Sequence, residues 1–364
     1  MAACHGALFP RRLIVEQADV EQADVEQADA EQADAEQADA EQADVERAAV
    51  EQAEAASRWK RWRRRLRTIW LEPALRSMRF GFGALTWGGA QRVGRMLGRL
   101  AWIVSGRDRS RALAHLAIAF PEMPETERRL LARRTFLHLG TAAAELLHLW
   151  GRSPETSLHH VRVEGFEIIE ELRRAKRAVF LLTAHCGNWE MLSTANLSHG
   201  LGLTAMVRQV EGAAQVAEDL RAHFGSVTLP RGERRAISGM LRVLRSGGAL
   251  VMLLDQDIET DGVWVPFFGR PAHTPTAGAD LALRLGAAVV PVFSERLNDG
   301  SHCVRFHPPL SLPDDITEAT AVMTAAIEEQ VRRRPEQWVW MHKRWRRRPP
   351  EEALPREHTE DRVT

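Results

Sequence analysis

From residue 161 onward, short apolar runs alternate with helical patterns, and this alternation limits the chain to few architectures. The strand-like runs fall at 161–163, 179–183, 204–207, 249–254, 263–267, 288–293 and 303–306. Between them the apolar periodicity predicts helices over 166–175, 189–199, 212–224, 233–246, 276–286 and 316–333. Strands interleaved with helices of this length build an α/β fold, a mostly parallel central sheet flanked by helices. Such sheets bind ligands beyond the C-terminal ends of their strands.

One strand end carries the chemistry. The stretch 177–191 reads RAVFLLTAHCGNWEM. The apolar run leads into His185, then a turn through Gly187 and Asn188, then Glu190. On one continuous helix, five residues leave the two side chains about 140° apart, so His185 and Glu190 meet only if the backbone bends between them. Gly187 permits the bend, and Asn188 can cap a helix starting there. A carboxylate that orients an imidazole and stabilises its protonated form suits general-base catalysis. The spacing alone does not separate this from a His that merely closes a core strand. A thiol nucleophile at Cys186 is disfavoured, because adjacent residues at a strand end point to opposite faces.

Other strand ends add charged groups. Arg208 closes LTAMVR, Arg231 follows VTLP, Asp255 and Asp257 end ALVMLLDQD, and Arg270 lies in GVWVPFFGRPAHTPT. An Arg at such a position can hold a phosphate or polarise a carbonyl. Two acids without further oxygen ligands are a poor metal site, and no metal is expected.

The net charge of zero hides two opposite halves. Residues 16–54 repeat Glu-Gln-Ala-Asp-Val/Ala and hold 15 acids with one Arg, so the remaining chain is net positive by 14. A five-residue period builds no apolar stripe, and residues 1–57 read as a low-complexity acidic tail with no core to bury. A basic remainder suits an acidic partner, a phosphate-bearing substrate or an anionic membrane. Three scattered Cys and no signal-peptide core fit a reducing compartment.

Residues 58–107 read as a membrane-associated segment. RWKRWRRRLR at 58–67 is followed by an apolar stretch broken by Arg92, Arg95 and Arg99, so it is too interrupted to span a bilayer. Val93, Met96, Leu97, Leu100, Ala101 and Val104 recur at helical spacing, as in a basic amphipathic helix lying on a membrane. Residues 108–150 read as two helices joined at Pro121 to Pro124. The second presents Leu130, Leu131, Phe136, Leu137, Leu139, Ala143, Leu146 and Leu147 on one face. The stretch 335–350, PEQWVWMHKRWRRRPP, is a second basic and aromatic patch, and the domain ends at 348 before a polar tail, 349–364.

These stretches, in this order, resemble the bacterial lipid A biosynthesis acyltransferases of the lauroyl/myristoyl type, within the lysophospholipid acyltransferase superfamily. The matching pieces are SRALAHLAIAFPEMPETER at 110–128, HCGNWE at 185–190, PRGERRAISGMLRVLRSGGALVMLLDQD at 230–257, GVWVPFFGRPAHTPTAGADLALRLGAAVVPVF at 262–293 and PEQWVWMHKRWRRRP at 335–349. The resemblance implies a glycerol-3-phosphate-acyltransferase-like fold over 108–348. It also implies transfer of a fatty acyl chain from acyl-carrier protein to a hydroxyl of a membrane glycolipid. On that resemblance His185 is the general base, Glu190 orients it, and no acyl-enzyme forms. Arg208 stabilises the carbonyl or holds an acceptor phosphate, and Asp255 and Asp257 shape the cleft; Arg231 and Arg270 are expected substrate-binding residues from their own positions near strand ends. Many members carry an Asn shortly after the Arg matching Arg208; here RQVEG follows. No cofactor and no nucleic acid are implied, and the expected location is the cytoplasmic face of the inner membrane. A lysophospholipid acceptor, a hydrolase and a catalytically silent relative remain the competing readings.

Overall fold

The computed structural model describes residues 47, 73–207, 213–230 and 234–349, without the side chains of 206–207, 213–217, 230 and 234–237. Apart from residues 47 and 349, the acidic repeat, the basic run at 58–67, Arg208, Arg231 and the C-terminal tail lie outside the described residues.

The described residues from 73 onward form one compact unit. Its N-terminal layer is helical: α1 (73–84), α2 (Trp87–Val104), α3 (Gly106–Ala119) and α4 (Glu125–Trp150). Thr86 caps α2 by accepting the Gly89 N–H at 3.1 Å. The α2–α4 packing depends on small residues. Gly94 and Gly98 of α2 lie on the backbone at Gly140–Thr141 and Phe136–Leu137 of α4, so close that a Cβ at any of Gly94, Gly98 or Gly140 would meet backbone atoms. The same contact buries Ala90 and Gln91 and leaves Met96, Leu97, Leu100, Ile103 and Val104 facing outward. Among the described residues no helix is long and apolar enough to cross a membrane.

The remainder is the expected α/β body. The strands are β1 (Val161–Glu164), β2 (Val179–Thr183), β3 (Leu203–Val207), β4 (Val227–Pro230), β5 (Ala249–Leu253), β6 (Gly262–Phe267), β7 (Arg270–Pro275), β8 (Ala288–Arg296) and β9 (His302–Phe306). The helices are α5 (Glu167–Arg174), α6 (Leu192–His199), α7 (Ala213–His223), α8 (Arg234–Arg245), α9 (Ala277–Leu285) and α10 (Ile316–Arg333). Seven strands pair in the order β1-β9-β8-β2-β5-β3-β4. Every pair is parallel except β8 with β9. Strand β2 is fully buried, as its unbroken apolar run requires of a central parallel strand.

Two strands escaped the sequence pattern. β4 is an edge strand of four residues. β7 carries Pro271 and Pro275 and pairs only with β6, in a separate antiparallel hairpin. Pro is tolerated there because a two-stranded ribbon leaves one side of each strand unpaired.

Candidate active site

β2 and β5 are parallel neighbours in the register Thr183 opposite Leu253. Two residues past those ends stand His185 and Asp255, so the sheet itself brings them together. The His185 backbone N–H donates to Asp255 Oδ2 at 2.8 Å, and its ring Nδ1 bonds Oδ1 at 2.8 Å. The Trp338 indole N–H donates to Oδ2 at 2.9 Å. Asp255 is buried, His185 only half so. Burial by itself would raise the Asp255 carboxyl. The His185 ring, its backbone N–H and the Trp338 indole outweigh that and hold the carboxyl well below the usual carboxylate range. An ionised carboxylate on Nδ1 fixes the proton there and leaves the ring's lone pair on Nε2.

This corrects the expected partner. Glu190 does not orient His185. The 3-10 turn Trp189–Met191 directs its carboxylate to α7, where the Arg221 guanidinium holds both oxygens, Nη2 to Oε1 at 2.5 Å and Nε to Oε2 at 3.0 Å. Trp189 lies between, its ring edge-on to His185 at 5.0 Å and its indole N–H 3.2 Å from Glu190 Oε1.

The turn is anchored from behind. Gly187 has φ +63°, and a Cβ there would collide with the Ser294 carbonyl oxygen. Its N–H donates to Gln337 O at 2.8 Å, and its carbonyl accepts from His138 Nε2 at 3.1 Å. Asn188 caps no helix. It is buried and donates to Ala142 O and to Glu145 Oε2, at 3.3 and 3.2 Å. Glu145, buried inside α4, also pairs with Arg296, His302 and Gln91. Burial works against its ionisation, but the His302 and Arg296 contacts prevail, and its carboxyl lies far below the usual range.

The C-terminal strap, residues 335–347, covers the site. Each residue of Asp255-Gln256-Asp257 meets the strap: Asp255 meets Trp338, Gln256 meets His342 at 2.8 Å, and Asp257 meets Arg347 and Arg346. Trp338, Trp340 and Arg344 are fully buried. This stretch is therefore a structural clamp through its buried Trp338, Trp340 and Arg344, while Lys343, Arg346 and Arg348 stay exposed. Asp257 takes the Arg347 backbone N–H and Nε at 3.1 and 2.7 Å, so its oxygens serve the clamp, not a substrate. Asp255 and Asp257 face different partners and do not converge on one ion. Arg270 stands exposed at the tip of the β6–β7 hairpin. Burial pushes the Cys186 thiol up, away from nucleophilic use. An open groove of about 500 Å³ lies along α10, lined by Pro266, Ala321, Val322 and Ala325 among others, and none of the expected site residues borders it.

Residues 63–347 match the family model of the bacterial lipid A biosynthesis acyltransferases. The chain belongs to that family. It is an acyltransferase. It is 27% identical to the lipid A biosynthesis lauroyltransferase of Escherichia coli K12 over 71% of this chain and 85% of that protein. With the myristoyltransferase of the same strain the identity is 31%, over 71% and 81%. With its palmitoleoyltransferase it is 28%, over 71% and 85%. The acyl chains in these names differ, so membership does not fix chain length.

Sequence reasoning missed Glu145, His138, Gln256, Trp338 and His342 as parts of the site. One signal was available for the Asp255 contact: DQD ends the strand most similar to 179–183 in length and apolar texture, as expected of a parallel neighbour.

Proposed function

We propose that the protein is an O-acyltransferase working at a membrane surface, moving a fatty acyl chain from an acyl-carrier-protein thioester to a hydroxyl of a lipid A precursor. The observation that carries this reading is the buried Asp255 carboxylate on His185 Nδ1, which leaves Nε2 as a general base at a strand end. The acceptor hydroxyl gives its proton to Nε2 as its oxygen attacks the thioester carbon. The imidazolium then returns that proton to the departing thiolate as the carbon–sulfur bond breaks, so the base is regenerated each cycle. No acyl-enzyme is needed, and the buried Cys186 is not used. Glu190 acts through Arg221, fixing a guanidinium beside the turn. Arg208, outside the described residues, is by family resemblance a candidate for the carbonyl or an acceptor phosphate, and Arg231, also outside them, remains a candidate for substrate binding from its position after VTLP.

Membrane contact is assigned to the outward face of α2. Ile103 and Val104 are each 68% exposed, and Arg92 and Arg99 lie on the same side. Apolar residues flanked by Arg suit the interface of an anionic bilayer.

The test supplies the full-length protein in detergent with acyl-carrier protein bearing C12 to C16 chains and a lipid A precursor, with products read by mass spectrometry. His185→Ala is expected to abolish transfer with the fold intact. Asp255→Asn, which leaves the ring in the wrong tautomer, is expected to lower kcat by ~10²–10⁴. Release of free fatty acid alone would make the protein a hydrolase. Normal turnover in folded His185→Ala would end the general-base role.

A further inference from the structure

The amide of Gln256 stands between two imidazoles. Its Nε2 is 3.0 Å from His185 Nε2 and 2.8 Å from His342 Nε2. The hydrogen-bond logic fixes which way this amide points. Asp255 takes the proton side of His185 at Nδ1, so Nε2 is an acceptor and whatever faces it must donate. The same Gln256 nitrogen meets His342 Nε2, which must then also accept. His342 is well suited to that part: burial and the neighbouring His185 lower it to about 4, so it stays neutral around pH 7. One amide N–H is thus tied to the strap and the other is turned toward the ring of the base.

That second bond is poorly made. The nitrogen also lies 3.3 Å from His185 Nδ1, nearly as close as to Nε2, so it does not lie along the Nε2 lone pair. An acceptor hydroxyl bound to Nε2 would take its place. The displaced N–H, still tethered through His342, would remain within reach of the oxygen atoms gathering at Nε2.

We propose that Gln256 is the oxyanion donor of this site, held in position by His342 of the strap. The inference rests on the acyl-transfer reading above. As the acceptor oxygen bonds to the thioester carbon, its proton goes to His185 Nε2 and the carbonyl π pair moves onto the carbonyl oxygen. Gln256 Nε2–H donates to that oxygen. The pair then returns to re-form C=O, the carbon–sulfur bond breaks, and the thiolate takes the proton from His185. A donor that meets the oxygen only as charge develops on it stabilises the transition state and not the ground state, which is what raises rate. His342 touches no reacting atom and is a positioning residue.

The test uses the full-length protein with dodecanoyl-acyl-carrier protein and its dithioester analogue, in which sulfur replaces the carbonyl oxygen and accepts hydrogen bonds weakly. Wild type is expected to turn over the thioester much faster than the dithioester. Gln256→Ala, and Gln256→Met as a variant of similar volume should Ala disturb the strap, are expected to lose ~10²–10³ in kcat on the thioester. KM should stay within threefold, and the oxygen-to-sulfur rate ratio should collapse toward one. A merely structural Gln256 would slow both donors equally and leave that ratio unchanged, which would overturn the inference. So would a thioester kcat within threefold of wild type. His342→Phe should lower the ratio partway. A wild type that transfers nothing from either donor would overturn the acyl-transfer reading and this inference together; transfer with an unchanged ratio would overturn the inference alone.

Discussion

The C-terminal strap and the outer face of α2 are built from similar residues and lie oppositely. Both mix large apolar side chains with Arg. In the strap, Trp338, Trp340 and Arg344 are fully buried, while on α2 Met96, Leu97, Leu100, Ile103 and Val104 stay exposed. The difference lies in the partners offered to the polar heads. The Trp338 indole reaches Asp255, the Trp340 indole reaches the Pro335 carbonyl, and Arg344 donates to His273 O and Thr274 Oγ1, both at 2.6 Å. Burial of such groups is affordable only when they are hydrogen-bonded. On α2 the inward face is given to Gly94 and Gly98, whose small size lets α4 approach. That leaves the large side chains nowhere to go but outward. Arg/Trp composition therefore does not say whether a segment is a clamp or a surface.

The comparison breaks most visibly at Trp338. Trp338→Ala removes a fully buried indole and the donor to Asp255, and is expected to cost about 3–5 kcal/mol in urea unfolding. Trp338→Phe keeps most of the packing and deletes the N–H. It should cost less in stability yet still lower kcat, because the carboxylate that orients His185 loses one of its donors. Equal effects from the two variants would reduce Trp338 to filler. The α2 face should respond in the opposite sense. Leu100→Glu with Ile103→Glu is expected to leave melting and detergent-phase kcat unchanged while lowering partition onto anionic vesicles at least tenfold, since it removes apolar area that only a membrane would bury. A large loss of stability would mean that this face packs on protein instead.

Much of this was legible from sequence. The apolar run 179–183 is β2, and the helix expected over 316–333 is α10, because both patterns are long or pure enough to override local ambiguity. The candidate base His185 was legible for the same reason: it follows a uniformly apolar strand. Its carboxylate was not. Glu190 lies five residues away, Asp255 seventy, and a short-range spacing argument favours the nearer acid. Only the β2–β5 register shows that the distant one is opposite. Similarly, α4 was read by its leucines. His138 and Glu145 fall among them, and nothing local reveals that Arg296 and His302 from β8 and β9 neutralise that buried carboxylate.

The strap and the α2 face also differ in what they do with protons, and this gives the finest test of the comparison. His342 is lowered to about 4 by burial and by His185, and His138, behind the turn, to about 3 by burial and by Arg296. In the unfolded chain both titrate near ~6.5. As pH falls below that value the unfolded chain takes up protons that the folded chain refuses, so stability present above pH ~6.5 is lost progressively toward 4. The depressed carboxyls of Asp255 and Glu145 act in the same direction but lower down, where unfolded carboxylates begin to protonate near pH ~4. Between pH 6.5 and 4.5 the melting temperature should therefore fall mainly through buried histidines. His342→Asn is expected to flatten part of that slope, measured by calorimetry across the window. The Leu100→Glu, Ile103→Glu variant should keep the slope whole, because the α2 face holds no histidine. A His342→Asn profile parallel to wild type would mean that the strap releases its imidazole to solvent as readily as α2 exposes its leucines.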